Sequence, residues 1–194
     1  MFNRFKSGIL IREGNLILRP LRFRDRQAWN HVRRVNNSWL NPWEATRPSA
    51  DFDIPLPSYN EMVRQHFHDG RELRTISLAM WIVQPGQKTE IFIGQITLGG
   101  LVFGAYRGGN IGYWIDQNFA NRGLMTRAVK ALTKYGFEDL LLHRIEINIR
   151  PENEASIKVA EKAGYLFEGH RPRYLHIDGD WRDHLTFVSE NSKI

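Results

Sequence analysis

The sequence predicts an α/β (α+β) fold built on one mixed sheet, and three observations carry that expectation. A strand, helix, strand unit runs from IGYWID (111–116) through a helical apolar pattern starting at Met125 to HRIEINIR (143–150), so those two strands should be parallel. TISLAMWIV (75–83) and IFIGQITLGGLVF (91–103) read as successive strands joined by a turn at PGQ. YLFEGHRPRYLHI and DWRDHLTFV flank Asp178-Gly179, a pair favoured in two-residue hairpin turns, which closes the chain with an antiparallel hairpin.

The remaining elements follow in order. LILRPLRF (16–23) is expected as the first strand, and Asp25 as the cap of a helix whose apolar face holds Ala28, Trp29, Val32 and Val35. NNSWLNPW (36–43) interrupts that helix. A long loop rich in proline and aspartate then runs to Ser58, and loops of that length usually touch a ligand. SYNEMVRQHFHDG (58–70) reads as a second helix ending near Gly70. In the central unit, Ala128, Val129, Leu132 and Tyr135 share one helix face, and Ile145, Ile147 and Ile149 share one strand face. ASIKVAEKAG is a short helix with Gly164 suited to its C-terminal cap. No repeat or low-complexity linker divides the chain, so residues 1–194 are read as a single domain.

Composition excludes several function classes. The chain contains no cysteine, which rules out a thiolate nucleophile, a disulfide and a cysteine zinc site. No stretch approaches the ~20 apolar residues of a membrane span, and the start MFNRFKSGILIREGN has too short an apolar core for a secretory signal; the cytoplasm is the expected compartment. A net charge of +6 favours anionic partners such as nucleotides, a phosphorylated cofactor, RNA or a ribosomal surface, although a modest positive balance also serves solubility. No RNP-type aromatic motif or long basic stripe marks an RNA-binding surface, and neither DNA nor membrane is expected as a partner. His66 and His68 stand two apart on a helix and point in different directions, so no metal site is assigned.

The stretch NFANRGLMTRAV (118–129) carries the chemistry. It joins a strand to a helix, and a helix start exposes backbone N–H donors and the positive end of the dipole. Arg122 adds charge there, and Gly123 lets an anion approach the backbone. The spacing fits neither GxxxxGK[ST] nor GxGxxG, so a P-loop or a dinucleotide turn is not supported; a tight turn with a solvated arginine would need the same residues.

Taken with HRIEINIRPENEASIKVAEKAGYLFEG, this segment resembles the GNAT acetyltransferase family. The family's acetyl-coenzyme A loop has Gln or Arg, two residues, Gly, one residue, then Gly or Ala, and the register runs from Ala120 to Met125 with Gly123 central. GLMTRA, RPENEAS and YLHIDGDWRDH are similar to the branch of ribosomal-protein-alanine N-acetyltransferases, and the likeness covers nearly the whole chain. Ala120 stands where the family usually has Gln or Arg, and Asn121 where this branch often has Gly; both departures bear on cofactor affinity.

The resemblance implies a mostly antiparallel twisted sheet with helices on both faces and two splayed parallel central strands. It implies acetyl-coenzyme A as cosubstrate, lying between the strand of Trp114 and Ile115 and the strand of Ile147 and Ile149. The Ile115 backbone N–H would polarise the acetyl carbonyl, and backbone donors of Ala120, Asn121, Arg122, Gly123, Leu124, Met125 and Thr126 would hold the pyrophosphate. Arg122, Arg127 or Lys158 would pair with cofactor phosphates, Asn153 would meet the pantetheine arm, and Ser156 would protonate the leaving thiolate. Asn153 is equally suited to cap the next helix, and both roles are compatible. Many family members place a tyrosine acid four residues after Ser156, where this chain has Ala160.

No general base stands out; Glu44, Glu90 and Asp116 are the candidates. An α-amine, with a pKa of about 7.7 to 8.0 against ~10.4 for lysine, needs the least help and so is the favoured acceptor. Trp39 and Trp43 either wall an acceptor groove or belong to the core. The expected function is acetyl transfer to the N-terminal α-amine of a protein, a ribosomal protein by the resemblance. The alternatives are a small amine such as an antibiotic or aminoacyl nucleotide, or a non-catalytic acyl-coenzyme A sensor or ribosome- or RNA-associated module.

Overall fold

The computed structural model describes residues 8–48, 55–84, 86 and 89–194. The proline and aspartate loop is therefore seen only at its two ends, and Pro85 and Gln87 of the expected turn and the first seven residues lie outside the described residues.

Among the described residues eight strands form one sheet: β1 (Ile11–Glu13), β2 (Leu16–Arg19), β3 (Ile76–Val83), β4 (Glu90–Val102), β5 (Gly108–Ile115), β6 (Arg144–Ile149), β7 (Leu166–Ile177) and β8 (Asp180–Glu190). Their spatial order is β1-β2-β3-β4-β5-β6-β8-β7. Every neighbouring pair is antiparallel except β5 and β6, the strands of the strand, helix, strand unit. The hairpin joining β7 to β8 turns at Asp178 and Gly179, whose φ angles of 49° and 78° are both left-handed, as a type I′ turn requires.

Among the described residues five α-helices accompany the sheet: α1 (Arg26–Val35), α2 (Asn37–Leu40), α3 (Tyr59–Arg71), α4 (Leu124–Glu138) and α5 (Glu154–Ala163). On one face α4 buries Leu124, Met125, Ala128, Val129 and Leu132 with Ile96, Leu98, Ile145 and Ile147 of the sheet. Gly136 lets α4 sit close, since a Cβ there would come within 2.6 Å of Ile145 Cδ1. On the opposite face Val32 of α1 and Tyr59 and Val63 of α3 pack against Ile17, Trp81 and Phe92. Ser58 caps α3 by a reciprocal box with Glu61, and Gly164 ends α5 at φ 93°.

Three local expectations are corrected. The strand expected over 16–23 ends at Arg19 and gives way to a single 3-10 turn, Phe23–Asp25. Asp25 does not cap α1 with its side chain; it is buried and accepts hydrogen bonds from Arg19 Nη1 (2.7 Å) and the Arg22 backbone N–H (2.8 Å). A buried carboxylate needs a cationic partner, and that demand outweighs the cap. Val35, at the last turn of α1, is exposed rather than on the buried face.

Candidate active site

β5 and β6 pair through only three residues each, Gly108 to Asn110 with Arg144 to Glu146. Beyond that point both strands continue, β5 to Ile115 and β6 to Ile149, without pairing to each other. The sheet therefore opens along its middle. Alternation of hydrogen bonding along β5 fixes what faces the opening: Asp116 donates its N–H to Ile93 O on β4 (2.8 Å), so one residue earlier the Ile115 N–H and C=O point away from β4. The Ile115 carbonyl accepts from Trp39 Nε1 (3.1 Å), which anchors the end of the strand and leaves the N–H turned to the gap.

A cavity occupies this opening. Ile147 and Ile149 belong to the core under α4 and α5, so Asn148 and Arg150 project to the other face; by the same alternation Leu185 and Phe187 of β8 face that core and His184 and Thr186 face away. The cavity is lined from the helical side by Tyr113, Asn153 and Ser156, and from the other by Trp43, Asn148 and His184. It thus reaches through the sheet rather than into one face of it.

α5 begins at the cavity rim. The Asn153 side-chain oxygen accepts from the Ser156 N–H (3.1 Å), which is the cap, and its amide nitrogen remains a donor. The Tyr113 hydroxyl donates to the Ser156 carbonyl (3.2 Å), and burial pushes its pKa up, so it stays a neutral donor. The Ser156 hydroxyl takes part in neither bond.

Beside the opening, the chain between β5 and α4 forms a short nest. Buried Asp116 accepts from the Asn118 N–H (2.9 Å) and side chain (3.2 Å), and Asn36 bridges α1 to the same turn through Val32 O and the Gln117 N–H. Asn121 and Gly123 both take left-handed φ, 58° and 71°, which reverses the chain so that α4 starts at Leu124. The first amides of that helix have no intrahelical acceptor; Arg127 N–H is bonded to Gly123 O at 3.1 Å. A Cβ placed on Gly123 would meet nothing within 4 Å, and Asn121 to Gly123 are exposed, so an anion has clear access to these donors.

The expected site residues do not all converge. Trp43, Asn153 and Ser156 line the cavity, while Ala120 to Thr126 form the separate nest at its side. Trp114 turns its ring to the opposite face, edge-on to Phe92 at 5.7 Å with the Arg33 guanidinium 5.1 Å above it. Trp39 is partly buried and serves as the anchor of Ile115. Arg127 is engaged with Glu13 O and Asn15 Oδ1, and Lys158 is an exposed partner of Glu154 at 3.5 Å; Arg122 lies over Phe119 at 5.1 Å. All three carboxylates considered as bases have structural partners: Glu44 pairs with Arg33, Glu90 with Arg19 (3.2 Å), and Asp116 caps its turn. His66 is largely buried and its pKa is lowered by burial, while His68 is exposed beside Asp69.

The sequence reading missed Tyr113, Asn148 and His184 as lining groups. Tyr113 was within reach, because it precedes Trp114 on a strand and must face the other way. His184 was not, because β8 lies between β6 and β7, an order that the chain sequence does not display.

A sheet parted between two parallel strands, with an exposed helix start following the strand at the parting, defines an α/β protein with an opening through its sheet. The chain belongs to the GNAT family: the acetyltransferase (GNAT) domain matches residues 15–166, and the protein is an N-acetyltransferase. The [ribosomal protein uS5]-alanine N-acetyltransferase of Escherichia coli (strain K12) is 31% identical over 170 residues, covering 83% of this chain and 81% of that one. A 99-residue stretch is 40% identical to the probable N-acetyltransferase YjcK of Bacillus subtilis (strain 168), a match that spans 51% of this chain and about half, 55%, of that relative. Escherichia coli (strain K12) spermidine N(1)-acetyltransferase matches at 26% identity over 86% of the chain and 81% of its own length. Among solved structures, Mycobacterium smegmatis RimJ in complex with CoA-disulfide superposes with a TM-score of 0.81 at 29% identity, covering 96% of this chain and 88% of that one. Among the described residues no helix is long and apolar enough to cross a membrane, and no group of three or more His, Cys, Asp or Glu side chains is placed to hold a metal.

Proposed function

We propose that this enzyme transfers acetyl from acetyl-coenzyme A directly to the N-terminal α-amine of a protein, with a ribosomal protein as acceptor. One observation carries the choice of acceptor: among the described residues the cavity is lined by Trp43, Arg150, His184 and others and by no carboxylate. A polyamine would bring several positive charges to a lining whose charged member is a cation, Arg150, with its carboxylate partner Glu152 outside that lining. A peptide N-terminus brings one amine of modest pKa followed by neutral backbone, which Trp43 and the Asn148 amide can receive.

In this reading the nest from Ala120 to Thr126 binds the pyrophosphate, with Arg122 beside it, and Asn153 meets the pantetheine arm with its amide nitrogen. The Ile115 N–H holds the acetyl carbonyl oxygen as charge develops, and Ser156 protonates the departing thiolate. Replacing Trp39 by Phe removes the bond to the Ile115 carbonyl and keeps the packing. Such a variant should lose roughly 2- to 10-fold in kcat, the worth of one hydrogen bond, with coenzyme A affinity by calorimetry within about twofold.

The test of the function is incubation with acetyl-coenzyme A and a panel of N-terminal alanine and serine peptides, the same peptides blocked at the α-amine but carrying a lysine, and spermidine, read by intact mass. The expected product is one acetyl group on the free α-amine peptides. Preferential acetylation of spermidine or of the lysine side chain would reject the α-amine acceptor.

A further inference from the structure

The three carboxylates that a reader of the sequence would choose as bases are all tied to structural partners, and none of them lines the cavity. One titratable imidazole does. His184 is 3% exposed overall and lies on the face of the sheet that also presents Trp43, opposite the face of Ser156. Its Nδ1 lies 3.0 Å from the Arg182 carbonyl oxygen. A carbonyl can only accept, so Nδ1 carries the hydrogen, and in the neutral ring the lone pair is left on Nε2. Nε2 has no hydrogen-bond partner among the described residues, yet it is not a sealed orphan, since the buried unpartnered atoms there are His66 Nδ1 and Trp81 Nε1.

We propose that His184 Nε2 is the proton acceptor for the attacking amine, an inference that rests on reading the cavity as the place where acetyl transfer occurs. The backbone bond to Arg182 and the edge-on contact with Tyr174 (5.8 Å) hold the ring in one tautomer and one orientation. The amine nitrogen bonds to the acetyl carbon while its surplus proton passes to Nε2. The C–S bond then breaks, and the sulfur receives the Ser156 proton and leaves as thiol. The imidazolium proton returns through water to the serine oxygen, so the cycle produces amide and thiol with no net proton left on the protein.

Burial keeps the ring neutral and ready to accept. Burial and the Arg150 guanidinium lower its pKa below the ordinary 6.5, against the backbone bond to Arg182 and the opposing pull of Asp183 and Glu152. A base with its pKa below 6.5 suits an acceptor of pKa about 7.7 to 8.0 far better than a lysine side chain of ~10.4. As pH falls through the pKa of His184 the acceptor site fills with a proton and kcat falls; above it the base stays competent.

The experiment uses the full chain with an N-terminal alanine peptide at saturating cosubstrates. Wild-type turnover is measured first, since absence of acetylated peptide would reject the acceptor reading itself. His184→Asn keeps a donor near the Nδ1 position and removes Nε2; kcat should fall about 10²-fold, the acid limb below pH 6.5 should disappear, and coenzyme A affinity should hold. His184→Ala should be rescued by added imidazoles, with rates that rise with imidazole pKa, a dependence that cavity filling alone does not produce. Wild-type turnover matched by His184→Asn, or rescue that follows imidazole size and ignores pKa, overturns the base while leaving the function standing.

Discussion

Gly123→Glu should weaken coenzyme A binding by roughly 10²-fold in calorimetry. A glutamate carboxylate about 6 Å from a bound pyrophosphate, at an effective dielectric of ~20, costs about 3 kcal/mol. The fold should survive, because a Cβ at this position meets nothing within 4 Å and a carboxylate at a helix start is favourable to the helix. What the substitution adds locally is left-handed strain of roughly 1 to 2 kcal/mol, since Gly123 sits at φ 71°. Gly123→Asn separates the two effects: asparagine enters that conformation readily and carries no charge, so its coenzyme A affinity should stay within a few-fold of wild type. Equal affinity for the glutamate variant and wild type would mean that the phosphates are held elsewhere.

Ser156→Ala should reduce kcat by about 10²-fold, the usual worth of a positioned acid, with coenzyme A affinity and melting temperature unchanged. The substitution is clean because both bonds made by Ser156, its N–H to Asn153 and its carbonyl from Tyr113, are backbone bonds that alanine keeps. Ala160, one turn further along α5, is fully buried and has no proton to give. Full activity in the alanine variant would pass the role to the Tyr113 hydroxyl, which already points at this turn.

Much of this arrangement could be read from residue order because it is local. The strand, helix, strand unit, the Asn153 cap, the Asp178-Gly179 turn and the glycine at the start of α4 each depend on neighbours a few positions away. The parallel pairing of β5 and β6 followed from the length of the connection between them. What stayed hidden depends on distant partners. Glu90 is held by Arg19, 71 residues earlier, and Ile115 is anchored by Trp39, 76 residues earlier. Asp25 looked like a helix cap because its sequence context is that of one, and only the burial of Arg19 beside it reveals the ion pair. His184 acquires its place from the insertion of β8 between β6 and β7, so no local pattern could have singled it out.

The three-residue seam between β5 and β6 has a broader consequence. A sheet parted beyond such a seam works as a partition with one doorway. In the proposed reaction thioester and amine arrive from separate rooms and meet at the threshold, so the two reactants do not compete for the same surface. The two rooms of that reaction can be refurnished separately only where no residue ties them together: Trp43 can change for a new acceptor, whereas Asn36 and Trp39 are fixed by their bonds to Gln117 and Ile115.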